Sequence, residues 1–181
     1  MMGKKMPRKL DQKLIYESEF ICLYVEKVEM PDGTIIDSYH RLHYPKESVL
    51  VFVINEKQEV LLIRSKRYIT SQIEWEVPAG SIEAGETAED AAKREVLEET
   101  GYMLKEVEYL CWQNPSNGMS DEKVHLFGAK AGACTEELDK NEILDKKWFS
   151  KEEIFIMLKN NEIKCGASML ALLYALQFYL S

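Results

Sequence analysis

Along the chain, apolar residues come in short blocks separated by polar turn formers, and the period within each block assigns an element. Residues 20–28 and 34–42 are β-branched and aromatic runs joined across Pro31, Asp32 and Gly33. An Asp-Gly pair between two such runs predicts a hairpin, which alone is marginal in water and needs a sheet or a second subunit to pack on. Residues 48–55 are almost continuously apolar, and Val60, Leu61, Leu62 and Ile63 follow the polar turn at 55–58. Runs of this kind predict paired strands buried on both faces. Arg64, Lys66 and Arg67 follow directly, placing cations at the end of a core strand.

Residues 88–100 read as a helix. Thr87 suits the N-cap, with Asp90 three residues on, and Gly101 suits the left-handed residue that closes a helix. Beyond it, 106–111 and 123–129 read as strands around a loop at 114–121, and an acidic stretch at 135–142 precedes a strand through Trp148. Ser150 and Glu153 form a capping-box pair that opens a helix to about residue 160. Gly166 and Ser168 introduce a strongly apolar last helix. Strands on both sides of a helix, with a long helix at the end, predict an α/β fold with a mixed sheet between helices.

The chemistry concentrates on the helix at 88–100. Glu95 and Glu99 are four residues apart and fall among Ala88, Ala91 and Ala92, a small-residue face suited to packing. Carboxylates held there are partly desolvated and repel one another unless a cation joins them. A hard divalent ion such as Mg2+ binds oxygen and keeps waters, so it is the natural partner. Glu98 lies on the same side and Glu86 sits just ahead of the helix, so four acids can converge. A solvated acidic face, tied by Glu89 to Lys93 and Arg94 to Glu98, is the bland alternative. It leaves unexplained the alanine flank, the flanking glycines and the turn at Pro78, Ala79 and Gly80.

Composition adds limits. A chain of 181 residues with 46% hydrophobic content is expected to form one domain, with at most a small extension. A net charge of −8 repels nucleic acid and anionic membranes, so neither is an expected partner. A polyanionic substrate must then be received by local cations or a metal. Cys22, Cys111, Cys134 and Cys165 show no paired spacing, which favours reduced thiols in a cytoplasmic protein. His40 and His43 read as surface or packing residues. Residues 1–13 are expected to be a disordered basic tail, 14–46 an N-terminal β-extension and 47–181 the main domain. The apolar stretch at 169–180 is too short to span a bilayer.

Gly80, Glu86, Arg94, Glu95, Val96, Glu98, Glu99 and Gly101 fall on the pattern of the Nudix box, Gly-x5-Glu-x7-Arg-Glu-u-x-Glu-Glu-x-Gly-u, where u is a bulky, usually aliphatic residue. Tyr102 is the one departure, aromatic at the last u. The order of the other segments, with Ser65 to Tyr68, Trp75 to Gly80, Pro115 to Glu122 and a late acidic loop, resembles the ADP-ribose pyrophosphatase group of Nudix hydrolases. That resemblance implies an α/β/α sandwich with a mixed sheet and an N-terminal antiparallel β-extension that joins a homodimer. It implies hydrolysis of a nucleoside diphosphate linked to a sugar, such as ADP-ribose to AMP and ribose 5-phosphate, with Mg2+ or alternatively Mn2+.

Carried over by position, the resemblance makes Glu95, Glu99 and the carbonyl of Ala79 metal ligands, joined by Glu142 from the late loop. Glu98 would hold a ligand water or a second metal, and Arg94 would orient the glutamates. Arg67 and Glu76 correspond to substrate-side residues, and Ser116, Gly118 and Glu122 to a loop closing over the terminal ribose. Lys140 stands where relatives often carry the general base, which leaves Glu142, Glu136, Glu137, Asp139 or a box glutamate such as Glu98 to activate water. Lys66 stands where many relatives have an aromatic residue, which puts adenine stacking in question. Hydrolysis of GDP-mannose or ADP-glucose, and a non-catalytic nucleotide-sensing module, are the competing readings.

Overall fold

A computed structural model describes residues 5–135 and 143–180. Its contacts divide the chain into two compact units. One holds the residues up to Glu47 together with Asn114–Lys123; the other holds Ser48–Gln113 and the chain from Val124 onward.

The first unit is a three-stranded antiparallel sheet of β1 (Arg8–Glu17), β2 (Cys22–Glu29) and β3 (Ile35–His43), with β2 in the middle. β2 and β3 are the expected hairpin. Gly33 supplies the positive φ of the turn at 88°, and Thr34 N–H donates to the Asp32 carboxylate at 2.9 Å. β1 corrects the expectation of a disordered tail to residue 13. Its ten residues are all exposed and carry no apolar alternation, so no burial pattern announces it. The strand exists because β2 offers it a ladder, from Arg8 opposite Glu29 to Glu17 opposite Cys22, and Arg8 donates to the Glu29 carboxylate at 2.7 Å. Asn114–Lys123, expected within the main domain, joins this unit instead. Leu42 N–H donates to the Met119 carbonyl at 2.9 Å, and the Asp121 carboxylate receives Arg41, His43 and the Tyr44 N–H at 2.9, 2.8 and 3.1 Å.

The second unit is built on β4 (Ser48–Ile54), β5 (Val60–Arg67), β6 (Gln72–Glu76), β7 (Ala79–Ser81), α1 (Ala88–Thr100), β8 (Tyr102–Gln113), β9 (Val124–Cys134), β10 (Ile143–Phe149), α2 (Lys151–Lys159) and α3 (Gly166–Phe178). The strands run in the order β10, β5, β4, β9, β8, with β6 beside β5 and β7 beside β4. β4 and β9 are parallel and the other pairs antiparallel, so the sheet is mixed, as expected. β4 is apolar from Val49 onward because both its faces are covered. Val49, Val51 and Val53 pack with Ala91, Ala92 and Val96 of α1. Leu50 and Phe52 pack with Ile154 and Met157 of α2 and with Ala171, Leu172 and Ala175 of α3.

β4 and β5 pair only at Ile54 opposite Val60. Beyond that point each takes a different neighbour: β7 pairs with Ser48 to Leu50 and β6 with Ile63 to Arg67. Arg64, Lys66 and Arg67 therefore lie within β5 rather than after it. No helix of the described residues is long and apolar enough to cross a membrane.

Candidate active site

α1 is framed as its sequence demands. The Thr87 hydroxyl accepts from Asp90 N–H at 3.1 Å, and Gly101, at φ 71°, donates its N–H to the Leu97 carbonyl at 2.7 Å. The capping is not a full box, since the Asp90 carboxylate turns to the Thr87 hydroxyl rather than to its backbone. With Ala91, Ala92, Val96 and Thr100 buried, helical geometry leaves Glu95 and Glu99 at the margin of the packed face.

Glu95 lies against the backbone of β7. A Cβ placed on Gly80 would stand 2.0 Å from the Glu95 carboxyl carbon, so only glycine admits this approach. Glu99 accepts from Ala79 N–H at 3.1 Å. Both glutamates hold their protons more tightly than usual. Burial pushes the Glu99 carboxyl up to about 8, and the Glu95 and Glu76 carboxylates push in the same direction against Ala79 N–H and Arg67. Burial also raises Glu95, against the hold of Arg94.

Arg94 is the hub of the acids. Its guanidinium donates to both oxygens of Glu86 at 2.9 and 3.0 Å, to Glu95 at 2.8 Å, to Glu98 at 3.0 Å and to the Ser81 carbonyl at 2.9 Å. Hydrogen bonding to Arg94 draws the Glu86 carboxyl below its ordinary value. Glu98 itself is exposed. The pairs of the bland alternative also form: Lys93 to Glu89 at 2.6 Å joins two exposed side chains, while Arg94 to Glu98 is one arm of the Arg94 hub.

Arg67 and Glu76 pair with one another through a two-pronged contact, Nε to Oε1 at 2.9 Å and a second short bond from Nη2 to Oε2. Glu76 is buried and Arg67 half-buried, at the wall of a cleft of about 780 Å³. Lys164 and Cys165, just ahead of α3, line the same cleft. No local signal in the sequence links them to residues almost a hundred positions earlier.

Ser116, Gly118 and Glu122 belong to the unit of the β-extension. The Ser116 carbonyl accepts from Met119 and Ser120 N–H at 2.9 and 2.8 Å, the Gly118 carbonyl accepts from Tyr39 Oη at 2.9 Å, and burial raises the Glu122 carboxyl. Glu142, with Glu136, Glu137, Asp139 and Lys140, lies outside the described residues.

Among the described residues, no three His, Cys, Asp or Glu side chains are arranged as a cage for a metal ion. The donors that are present are nevertheless of the right kind. Two desolvated carboxylates with raised proton affinity, at a backbone strand, fit a hard cation that completes its shell with waters and phosphate oxygens, better than a closed protein cage would.

Residues 44–172 match the NUDIX domain model. The chain is 29% identical over 163 residues to an ADP-ribose pyrophosphatase of Bacillus subtilis, covering 88% of this chain and 87% of that one. It is 27% identical over 169 residues to a CMP-5'-(N-acetyl-N-hydroxy-3-aminopropyl)phosphonate hydrolase of Streptomyces rubellomurinus, covering 91% and 80%. Its fold is similar to that of a solved ADP compounds hydrolase, with a TM-score of 0.83 at 20% identity, over 96% of this chain and 94% of the other. With its box helix assembled as described and the domain model spanning most of its length, the chain belongs to the NUDIX domain family.

Proposed function

We propose that this protein is a Mg2+-dependent hydrolase of the pyrophosphate of a nucleoside diphosphate-sugar, with ADP-ribose, cleaved to AMP and ribose 5-phosphate, as the first substrate to test. The observation that carries this reading is the pair Glu95 and Glu99, two carboxylates taken out of water beside one another at the edge of β7. Separating charge in this way is unfavourable on its own and becomes favourable when a cation is shared.

In this reading Glu95, Glu99 and the Ala79 carbonyl hold Mg2+, with Glu98 and Glu142 contributing directly or through water. The bound ion would supply charge neutralisation and an activated water. Arg94 fixes the rotamers of Glu86, Glu95 and Glu98 at once, so it acts as a positioning residue. A carboxylate within hydrogen-bond reach of the attacking water takes its proton, and Glu142 or Glu98 fills that role. Arg67, held rigid by Glu76, presents a guanidinium edge to a phosphate or ribose in the cleft. The β-extension joins a second copy in a homodimer, and the protein works in the cytoplasm.

Another nucleotide sugar is the second reading, favoured by Lys66, a cation rather than an aromatic ring at the cleft wall. One experiment separates the readings. Purified protein is incubated with ADP-ribose, ADP-glucose, GDP-mannose and diadenosine polyphosphates, with and without Mg2+, and monophosphate products are counted. Metal-dependent cleavage of ADP-ribose is expected. Cleavage of a different sugar nucleotide would reassign the pocket, and no cleavage across the panel would overturn the hydrolase.

A further inference from the structure

The cleft holds a carboxylate that the reaction above does not use. β5 and β6 pair with Ile63 opposite Glu76, Ser65 opposite Glu74 and Arg67 opposite Gln72, so these six side chains share one face of the sheet. Glu74 is only 9% exposed and lines the cleft together with Lys66, Arg67, Gln72, Glu76 and Lys164. Glu76 is engaged by Arg67, whereas Glu74 makes no hydrogen bond or ion pair with another described residue. Across the strand pair, the buried Ser65 hydroxyl has no hydrogen-bond partner among the described residues. Lys66 and Lys164 are exposed at the rim. The Glu74 oxygens open onto the cleft with no donor from the described residues, so a ligand entering the cleft can supply one.

We propose that Glu74 is a specificity-determining acceptor that takes two adjacent hydrogen-bond donors on the nucleoside part of the substrate. The proposal rests on the nucleotide-sugar reading and deepens it by naming what the cleft selects. A carboxylate has two oxygens side by side and no proton to give, so it favours a ligand edge with two neighbouring donors. Adenine sets its amine beside the ring acceptor N1, and cytosine sets its amine beside N3; each turns a lone pair towards the second carboxylate oxygen. Guanine offers N1–H and the N2 amine together, and ribose offers its 2′ and 3′ hydroxyls. Both are the same chemistry, a paired donor facing Glu74, while Lys164 at the rim is placed to receive phosphate charge.

Binding of 5′-GMP, 5′-IMP and 2′-deoxy-GMP to the full chain and to Glu74→Gln and Glu74→Ala is measured by calorimetry. Glu74→Gln keeps the size of the side chain, and circular dichroism checks that both variants fold. The wild type is expected to bind 5′-GMP at least about tenfold more tightly than either variant. If 5′-IMP, which keeps N1–H but lacks the N2 amine, loses clearly less affinity than 5′-GMP on substitution of Glu74, the guanine edge is the ligand. If 2′-deoxy-GMP, which keeps only the 3′ hydroxyl, is the probe that loses clearly less, the ribose diol is the ligand. Equal affinity of wild type and variants for every probe, equal weakening of all three probes, or no binding to the wild type at millimolar concentration overturns the proposal. Hydrolysis of the nucleotide-sugar panel is followed in parallel. Turnover with probe binding indifferent to Glu74 overturns this inference alone, and Glu74-dependent binding without turnover overturns the hydrolase reading alone.

Discussion

Taken out of water beside Glu95 and Glu76, the Glu99 carboxyl holds its proton to a pH of about 8, against 4.5 for a free side chain. Because the folded value is raised, this group stabilises the fold fully below about 4.5, and the contribution is lost as pH rises through about 8. In the presence of a chelator the thermal midpoint is therefore expected to fall between these limits. Glu99→Gln, which carries no charge at any pH, should flatten that slope, and scanning calorimetry across the range decides it. The same substitution is expected to lower kcat/KM for the cleaved substrate by about a hundredfold or more while the fold persists. Wild-type turnover by the variant would remove Glu99 from the proposed metal set. Gly80 is the second residue with a sharp expectation. Gly80→Ala drives its methyl into the Glu95 carboxylate, so kcat is expected to fall steeply, with near-wild-type circular dichroism showing that the sheet survives.

At the scale of the element, α1 illustrates how local signals and packing agree. Its boundaries follow from Thr87 and Gly101, and its inner face is small because Ala91 and Ala92 lie directly on Val49, Val51 and Val53 of β4. Thr87→Ala leaves the Asp90 N–H without its side-chain acceptor and is expected to cost about 1 kcal/mol, read as a shift in the urea midpoint at constant slope. β5 and β6 form the other element that matters. Their antiparallel register sets Arg67, Gln72, Glu74 and Glu76 on one face, and the Arg67 to Glu76 pair fixes the guanidinium at the cleft. A shift of the register by one residue would send all four to the opposite face.

For the whole molecule, the β-extension raises the question of a second copy. β1 is exposed along its whole length, and Leu10, Leu14, Ile15 and Tyr16 each stand more than 40% open. An open strand of this kind invites pairing or cover, and light scattering at micromolar protein is expected to return the mass of a dimer. A monomer mass would contradict it. Much of the chain was legible in its sequence: the α1 helix with both caps, the β2–β3 hairpin and its turn, the doubly buried β4 and the capping box of α2. Each rests on contacts between residues close in the chain, where the 3.6 and 2.0 periods and the turn residues carry the information. β1 was not legible, because what holds it among the described residues is a ladder and ion pairs supplied by the neighbouring strand β2. Nor was the attachment of Asn114–Lys123 to β3, which depends on Asp121 reaching Arg41 and His43 some eighty positions away. The residue types of the acidic site were thus determined by the sequence. The convergence of Glu86, Glu95 and Glu98 on Arg94, the pairing of Arg67 with Glu76 and the lack of a partner for Glu74 among the described residues were decided only by the tertiary structure, since burial and partnership are properties of what folds against a side chain.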